Sequence, residues 1–283
     1  MSSQIKTVML LALLSALLMF MGAALGGRTG LMFGLILALV MNVGSYWFSD
    51  KIVLSMYRGR ELAPYDAPGL HAMVDELARA ADIPKPRVFI VPQEAPNAFA
   101  TGRDPEHGVV AVTEGMVRLL SPDEIRGVLA HEISHIRNRD ILVQTVAGVL
   151  ASVVMYAANI MQWTAIFGGG GNNDDRPNPF VALAMALIAP VAAMLIQMAI
   201  SRSREYLADE TGARLARDPL QLAAALEKLE AWNQQVPMTQ GSQATAHMFI
   251  VNPFSGAGAA ALFSTHPPIA ERIARLRAMA HAR

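Results

Sequence analysis

The sequence predicts a mainly α-helical fold in which four transmembrane helices carry a cytoplasmic α+β domain with a small β-sheet. Three features of its 283 residues predict this. Charged residues make up only 16% of the chain, against about a quarter in soluble domains. Four windows contain no Asp, Glu, Lys or Arg: Thr7–Gly27, Thr29–Ser49, Ile141–Asn173 and Pro177–Ser201. The rest of the chain holds all 23 basic and all 23 acidic side chains, and it mixes helical apolar spacing with short β-rich runs.

Each window is long enough to cover the hydrocarbon core, which takes about 20 helical residues. The expected spans are Val8–Leu25, Leu31–Phe48, Ile141–Phe167 and Phe180–Ile200. They divide the chain into an N-terminal pair (1–49), a cytoplasmic segment (50–140), a membrane hairpin (141–200) and a second cytoplasmic segment (201–283). The first run follows Lys6 as a signal peptide would. It is too long for a usual signal core, and a second span follows at once, so it reads as an anchor. Gly26–Gly30 is then a tight turn and Gly168–Asn178 a polar loop.

Orientation follows from basic residues near span ends. Lys6, Lys51, Arg58, Arg60, Arg126, Arg137, Arg139, Arg202, Arg204 and Arg214 lie on one side; only Arg28 and Arg176 lie on the other. That bias places both termini and both charged segments in the cytoplasm. Asn42, Gln144, Asn159, Gln162 and Gln197 fall within spans, but none is ionisable, so interhelical hydrogen bonding is expected of them rather than an ion path.

In the first cytoplasmic segment, Ala67–Ala81 has helical spacing, stopped by Pro84 and Pro86. Arg87–Val91 reads as a strand. Asn97–Thr101 and Gly108–Thr113 read as two more, joined by the turn-rich Gly102–His107. Glu114–Leu120 suits a short helix. Ser121, Pro122 and Glu124 form a capping box that starts a helix running to Arg139. After the fourth span, Arg202–Ala216 continues helical, Pro219–Gln235 is amphipathic, Val236–Phe263 is expected to be irregular, and Pro267–Ala280 closes the chain as a helix.

Composition excludes several chemistries. With no cysteine there is no disulfide framework, thiolate nucleophile or Cys-based metal site. Zero net charge argues against a nucleic-acid partner bound through a general basic surface. A metal site must therefore use His, Asp or Glu. The capped helix contains His131-Glu132-Ile133-Ser134-His135. Histidines four apart on a helix present both imidazoles on one face at a spacing that suits a single Zn²⁺, and the adjacent Glu132 can deprotonate a water.

A third ligand is needed, and His71, His107, His247, His266 and His281 remain. Geometry favours Glu205. If helix and span are continuous, His135 sits about 9 Å before the third span, and Glu205 about 7.5 Å after the fourth. In an antiparallel hairpin the three arrive at one height. Glu205 alone would otherwise be a salt-bridge partner for Arg202 or Arg204.

These motifs resemble a known family. The His131–His135 pentad, Ser201–Asp209 after the next span, Asn97–Gly102 upstream and Ser264–Pro268 near the end are together similar to the HtpX family. These are bacterial membrane zinc metalloproteases of the HExxH, gluzincin-like group, related to the CAAX prenyl endopeptidases. The resemblance implies a zincin-like domain holding one Zn²⁺ on His131, His135 and Glu205, with Glu132 as general base. It also implies an inner-membrane enzyme with a cytoplasmic site that degrades damaged or misfolded membrane proteins, as part of a stress response.

The same resemblance makes Asp209 the carboxylate behind a ligand imidazole, and places His266 and Arg272 near the metal. His266 is the first candidate to stabilise the developing oxyanion, Arg272 the second. A protease holds its substrate extended along a strand edge, which is assigned to Asn97, Ala98, Phe99 and Ala100. Expected partners are membrane-protein or unfolded polypeptide substrates, the lipid bilayer, and further proteases or chaperones. Two other functions fit the composition: an inactive membrane scaffold or chaperone keeping a structural metal, and a metal transporter, which the charge-free spans disfavour.

Overall fold

The structure is a computed structural model that describes residues 3–149, 202–233, 235, 243–252 and 267–281. The expected third and fourth spans beyond residue 149, the loop Gly168–Asn178, most of Val236–Phe263 and His266 lie outside the described residues.

The first helix, α1 (Ser3–Trp47), doubles back at Gly26 and Gly27. Gly27 has φ 57° and ψ −135°, a combination that glycine alone adopts readily. The two halves then pack closely. A Cβ on Gly22 would lie 2.1 Å from the Gly30 carbonyl oxygen, and one on Gly34 only 2.4 Å from that of Leu18. Asn42 donates its amide to Ser15 Oγ across the hairpin at 2.8 Å, the interhelical role expected of it. Among the described residues one helical stretch, Gly26–Trp47, is long and apolar enough to cross a membrane. Phe20, Phe33, Leu39 and Val40 of this hairpin are exposed, an apolar surface that suits lipid rather than water.

Helix α2 (Ser49–Met56) and a two-residue strand β1 (Arg60–Glu61) follow, both too short to leave a periodic signal in the sequence. Then come α3 (Pro68–Ala80), β2 (Arg87–Val91), β3 (Ala98–Thr101), a 3₁₀ turn at Pro105–His107, β4 (Val109–Thr113) and α4 (Glu114–Leu119). The sheet has the order β1-β2-β4-β3. β2 and β4 run parallel, and β3 and β4 form the expected antiparallel hairpin, with Ala98 opposite Val112 and Thr101 opposite Val109.

Both sheet faces are buried. Val88, Ile90, Val110 and Val112 pack on Leu129, Ile133 and Ile136 of α5 (Pro122–Arg137) and on the helices beyond it. Alternate residues Phe89, Val91, Phe99 and Ala111 pack on Val53, Tyr57 and Phe249. Helices α6 (Arg202–Ala216), α7 (Pro219–Asn233) and α8 (Ile269–His281) complete the described domain. Gln243–Met248, within the stretch expected to be irregular, forms a 3₁₀ turn, and Phe249 then bridges to Phe99.

Helix α5 ends at Arg137, not Arg139, and is not continuous with the helical residues 141–149. Asp140 N–H donates to the His135 carbonyl at 3.0 Å, and Arg139 N–H to that of Ile136 at 3.1 Å. This double closure requires the left-handed region at Arg139, whose φ is 57°. The chain turns between the histidine pair and the next helix, so the height argument built on an unbroken helix does not hold.

Candidate metal centre

The capping box at the start of α5 is present in full. Ser121 Oγ accepts the Glu124 N–H, and the Glu124 carboxylate accepts the Ser121 N–H at 2.8 Å. Ten residues on, His131 and His135 project from the buried face of α5 with their Nε2 atoms 3.2 Å apart. Glu205, in the first turn of α6, places one carboxylate oxygen 3.8 Å from His131 Nε2 and the other 3.5 Å from His135 Nε2. The three ligand atoms lie within 4.8 Å of one another, and all three side chains are buried. Ligands about 2.0–2.1 Å from a tetrahedral ion stand about 3.4 Å apart, so these spacings fit one divalent cation.

Two glycines let the helices approach this closely. A Cβ on Gly212 of α6 would lie 2.8 Å from the His131 backbone nitrogen, and one on Gly127 of α5 2.9 Å from that of Leu222 in α7. Backbone therefore meets backbone at His131, and α6 lies near enough for Glu205 to reach the histidines.

Asp209 lies one turn after Glu205 and faces the other nitrogen of His131, with Oδ1 2.9 Å from Nδ1. Arg272 of α8 is fully buried and grips Asp209 with both arms, Nε to Oδ2 at 2.8 Å and Nη2 to Oδ1 at 2.7 Å. Its Nη1 donates to the Ile250 carbonyl at 2.8 Å. Burial opposes ionisation of Asp209, yet the Arg272 guanidinium and the His131 ring hold its carboxyl below the usual range. The closest contacts of Arg272 go to Asp209 and Ile250, while Nη1 also lies 4.0 Å from Glu205 Oε2 and Nη2 3.5 Å from the His131 ring, which makes it a support for both of these ligands.

Electrostatics separates the two histidines. Burial pushes His131 down to about 4, against the pull of Asp209. Burial would also lower His135, but Glu205, Asp140 and Glu132 outweigh it and raise it to about 9. Glu132 is pushed up to about 7 by burial, with Glu205 adding to the rise. The Ala100 backbone N–H faces its carboxylate. In the absence of a cation the acidic neighbours thus favour a proton on His135 but not on His131, and a metal binding here must displace the proton on His135.

The sequence-assigned strand edge adjoins the site, but it is covered. Asn97, Ala98, Phe99 and Ala100 are all buried. Ile250 N–H donates to the Ala98 carbonyl at 3.1 Å, and the Asn97 amide donates to the Val251 carbonyl at 2.7 Å. Phe99 stacks edge-on with Phe249. The structure therefore brings together His131, Glu132, His135, Glu205, Asp209 and Arg272, with β3 alongside. Sequence reasoning missed Gly212, Asp140 and Arg204. Only Gly212 left a signal, as a lone glycine inside a helical pattern.

Comparison with known proteins agrees with this arrangement. Residues 64–280 match the model of peptidase family M48. A protease HtpX homolog from Syntrophobacter fumaroxidans is 58% identical over 282 residues, covering 99% of this chain and all of that protein. One from Pyrococcus furiosus is 55% identical, covering 98% and 96%. Among solved structures, Ste24p of S. mikatae superposes with a TM-score of 0.53 at 16% identity, covering 96% of this chain and 65% of that one, a likeness of fold. With the His-Glu-His face of α5 opposite Glu205 and near-full-length identity to the HtpX homologs, the chain belongs to peptidase family M48 and is a metallopeptidase.

Proposed function

We propose that the chain is a zinc-dependent endopeptidase of the bacterial inner membrane, with its active site in the cytoplasm, acting on damaged or misfolded membrane proteins. The observation that carries this reading is the buried His131, His135 and Glu205 set with Glu132 beside it. Two imidazole nitrogens and one carboxylate oxygen as the donor set favour zinc over harder cations, which prefer all-oxygen sites. Bound there, zinc supplies Lewis acidity and brings the pKa of water to about 7.

The chain's own residues do the rest. Glu132 takes the proton from the attacking water and returns it to the departing amine nitrogen. Asp209, held by Arg272, fixes the His131 ring through Nδ1. His266 remains the candidate donor to the oxyanion. Ala98 and Ala100 turn their backbone polar groups toward the outer edge of β3, toward Ile250 and Glu132 respectively. An extended substrate would be held along this edge at its Ala100 end.

Four spans and a cytoplasmic site rest on the charge-free windows and the bias of basic residues toward one side. The exposed apolar hairpin of α1, joined through α2 to the sheet, suits substrates in or leaving the bilayer. Further proteases or chaperones would act as partners in delivering them.

Glu132→Gln tests the reading. Expected is a loss of proteolysis of a membrane substrate by about 10²-fold or more with zinc content unchanged. Retained activity would remove Glu132 as base. A wild type that binds zinc but cleaves nothing would favour the inactive scaffold instead.

A further inference from the structure

The two ligand histidines are backed in matching ways. His131 Nδ1 faces Asp209, and Asp209 is held by the buried Arg272. His135 Nδ1 faces Asp140 Oδ2 at 3.6 Å, and Asp140 Oδ1 faces Arg204 Nη1 at 3.7 Å. Asp140 is 2% exposed. Each imidazole thus has a buried carboxylate behind it, and each carboxylate has an arginine behind that. The second pair is looser than the first: 3.6 Å exceeds a hydrogen bond by about 0.7 Å.

Backbone geometry supports a positioning role for Asp140. It lies five residues after His135, beyond the end of α5, where a continuing helix would carry it to a different face. The left-handed turn at Arg139 instead folds it back, with its N–H on the His135 carbonyl at 3.0 Å. Asp140 therefore meets His135 twice, through its backbone and its carboxylate. Arg204 comes from the residue before Glu205, so the Asp140–Arg204 contact also joins the turn after α5 to the helix turn that presents the third ligand. Within hydrogen-bonding distance Arg204 meets no acceptor among the described residues, which leaves Asp140 as its charged neighbour.

The geometry points to Asp140 as the residue that orients His135 for the metal, accepting its Nδ1–H while Nε2 faces the ion, with Arg204 steadying the carboxylate. This rests on the metal-centre reading above. Removing such a support typically weakens metal binding by about 10–100-fold.

The test is zinc affinity of the purified full-length protein, measured by competition with a chromophoric chelator, alongside the visible spectrum of the Co²⁺-substituted protein. Asp140→Ala is expected to lower affinity by about 10–100-fold and to change the Co²⁺ spectrum. Asp140→Asn, which keeps an acceptor oxygen but loses the charge, should recover part of that loss while still binding zinc several-fold more weakly than the wild type and with an altered Co²⁺ spectrum. Should the alanine variant fail to fold, the asparagine variant decides: a changed Co²⁺ spectrum with weaker binding supports the proposal. Wild-type affinity and spectrum in a folded variant of either kind would overturn it, even if thermal stability falls, because a merely structural role moves stability alone. If the wild type itself binds neither Zn²⁺ nor Co²⁺, the metal-centre reading fails, a result distinct from failure of Asp140.

Discussion

Replacing Gly212 by alanine tests whether close helix approach builds the metal centre. The added Cβ would lie 2.8 Å from His131 N, 2.9 Å from its Cα and 3.1 Å from the Ala130 carbonyl carbon. All three atoms are backbone of α5, so no side chain can swing away. Ordinary contact begins near 3.4 Å, so α5 and α6 must part by about half an ångström. Overpacking of this kind costs about 1–3 kcal/mol, and a site of this kind tolerates displacements of only about 0.5 Å. Both stability and metal affinity should therefore fall. The assay is thermal unfolding of the metal-free protein in detergent, together with zinc affinity. At about 2–4 °C per kcal/mol, Tm should drop by several degrees, and zinc should bind at least several-fold more weakly. Gly69→Ala is the control, since nothing lies within 4 Å of its added Cβ. Gly212→Ala behaving like Gly69→Ala in both measurements would refute the reasoning.

Other consequences follow from the same geometry. Arg272→Met leaves the Asp209 carboxylate buried without its cation and should destabilise the protein by about 3–5 kcal/mol; adding Asp209→Asn should restore part of that in denaturation. Activity should show an acidic limb set by Glu132, whose carboxyl is raised from 4.5 to about 7, first by burial and then by Glu205. A general base works only when ionised, so kcat/KM should fall as pH drops through that group's pKa. The charge of a bound cation draws it back down, so the midpoint in the metal-loaded enzyme lies below 7; a kcat/KM that rises as pH falls below 7 would exclude Glu132 as the base. A single cysteine at Asn172 should react with impermeant reagent only from the side opposite the termini, and labelling from the cytoplasm would invert the orientation.

The site was more legible in the sequence than the fold around it, for physical reasons. His131 and His135 share a helix, so spacing alone places them on one face. The capping box at Ser121 and the glycine turn at Gly26–Gly27 are likewise local. Glu205 was found by a height argument whose premise, an unbroken helix from His135 onward, the left-handed Arg139 contradicts. What brings Glu205 to the histidines is helix packing at Gly212. Asp140 was invisible because its role depends on a turn closed at a non-glycine residue. The covered edge of β3 also escaped notice, because Ile250 and Val251 meet it from about 150 residues away in sequence. Arg272 was placed near the metal, but its commitment to Asp209 needed coordinates.

The most direct measurement is the metal content of the purified full-length chain, wild type against Glu205→Ala. About one zinc ion per chain, held by three protein ligands, is expected in the wild type, and substoichiometric, readily stripped metal in the variant. Equal, tightly held zinc in both would contradict the assignment of His131, His135 and Glu205 as one metal centre.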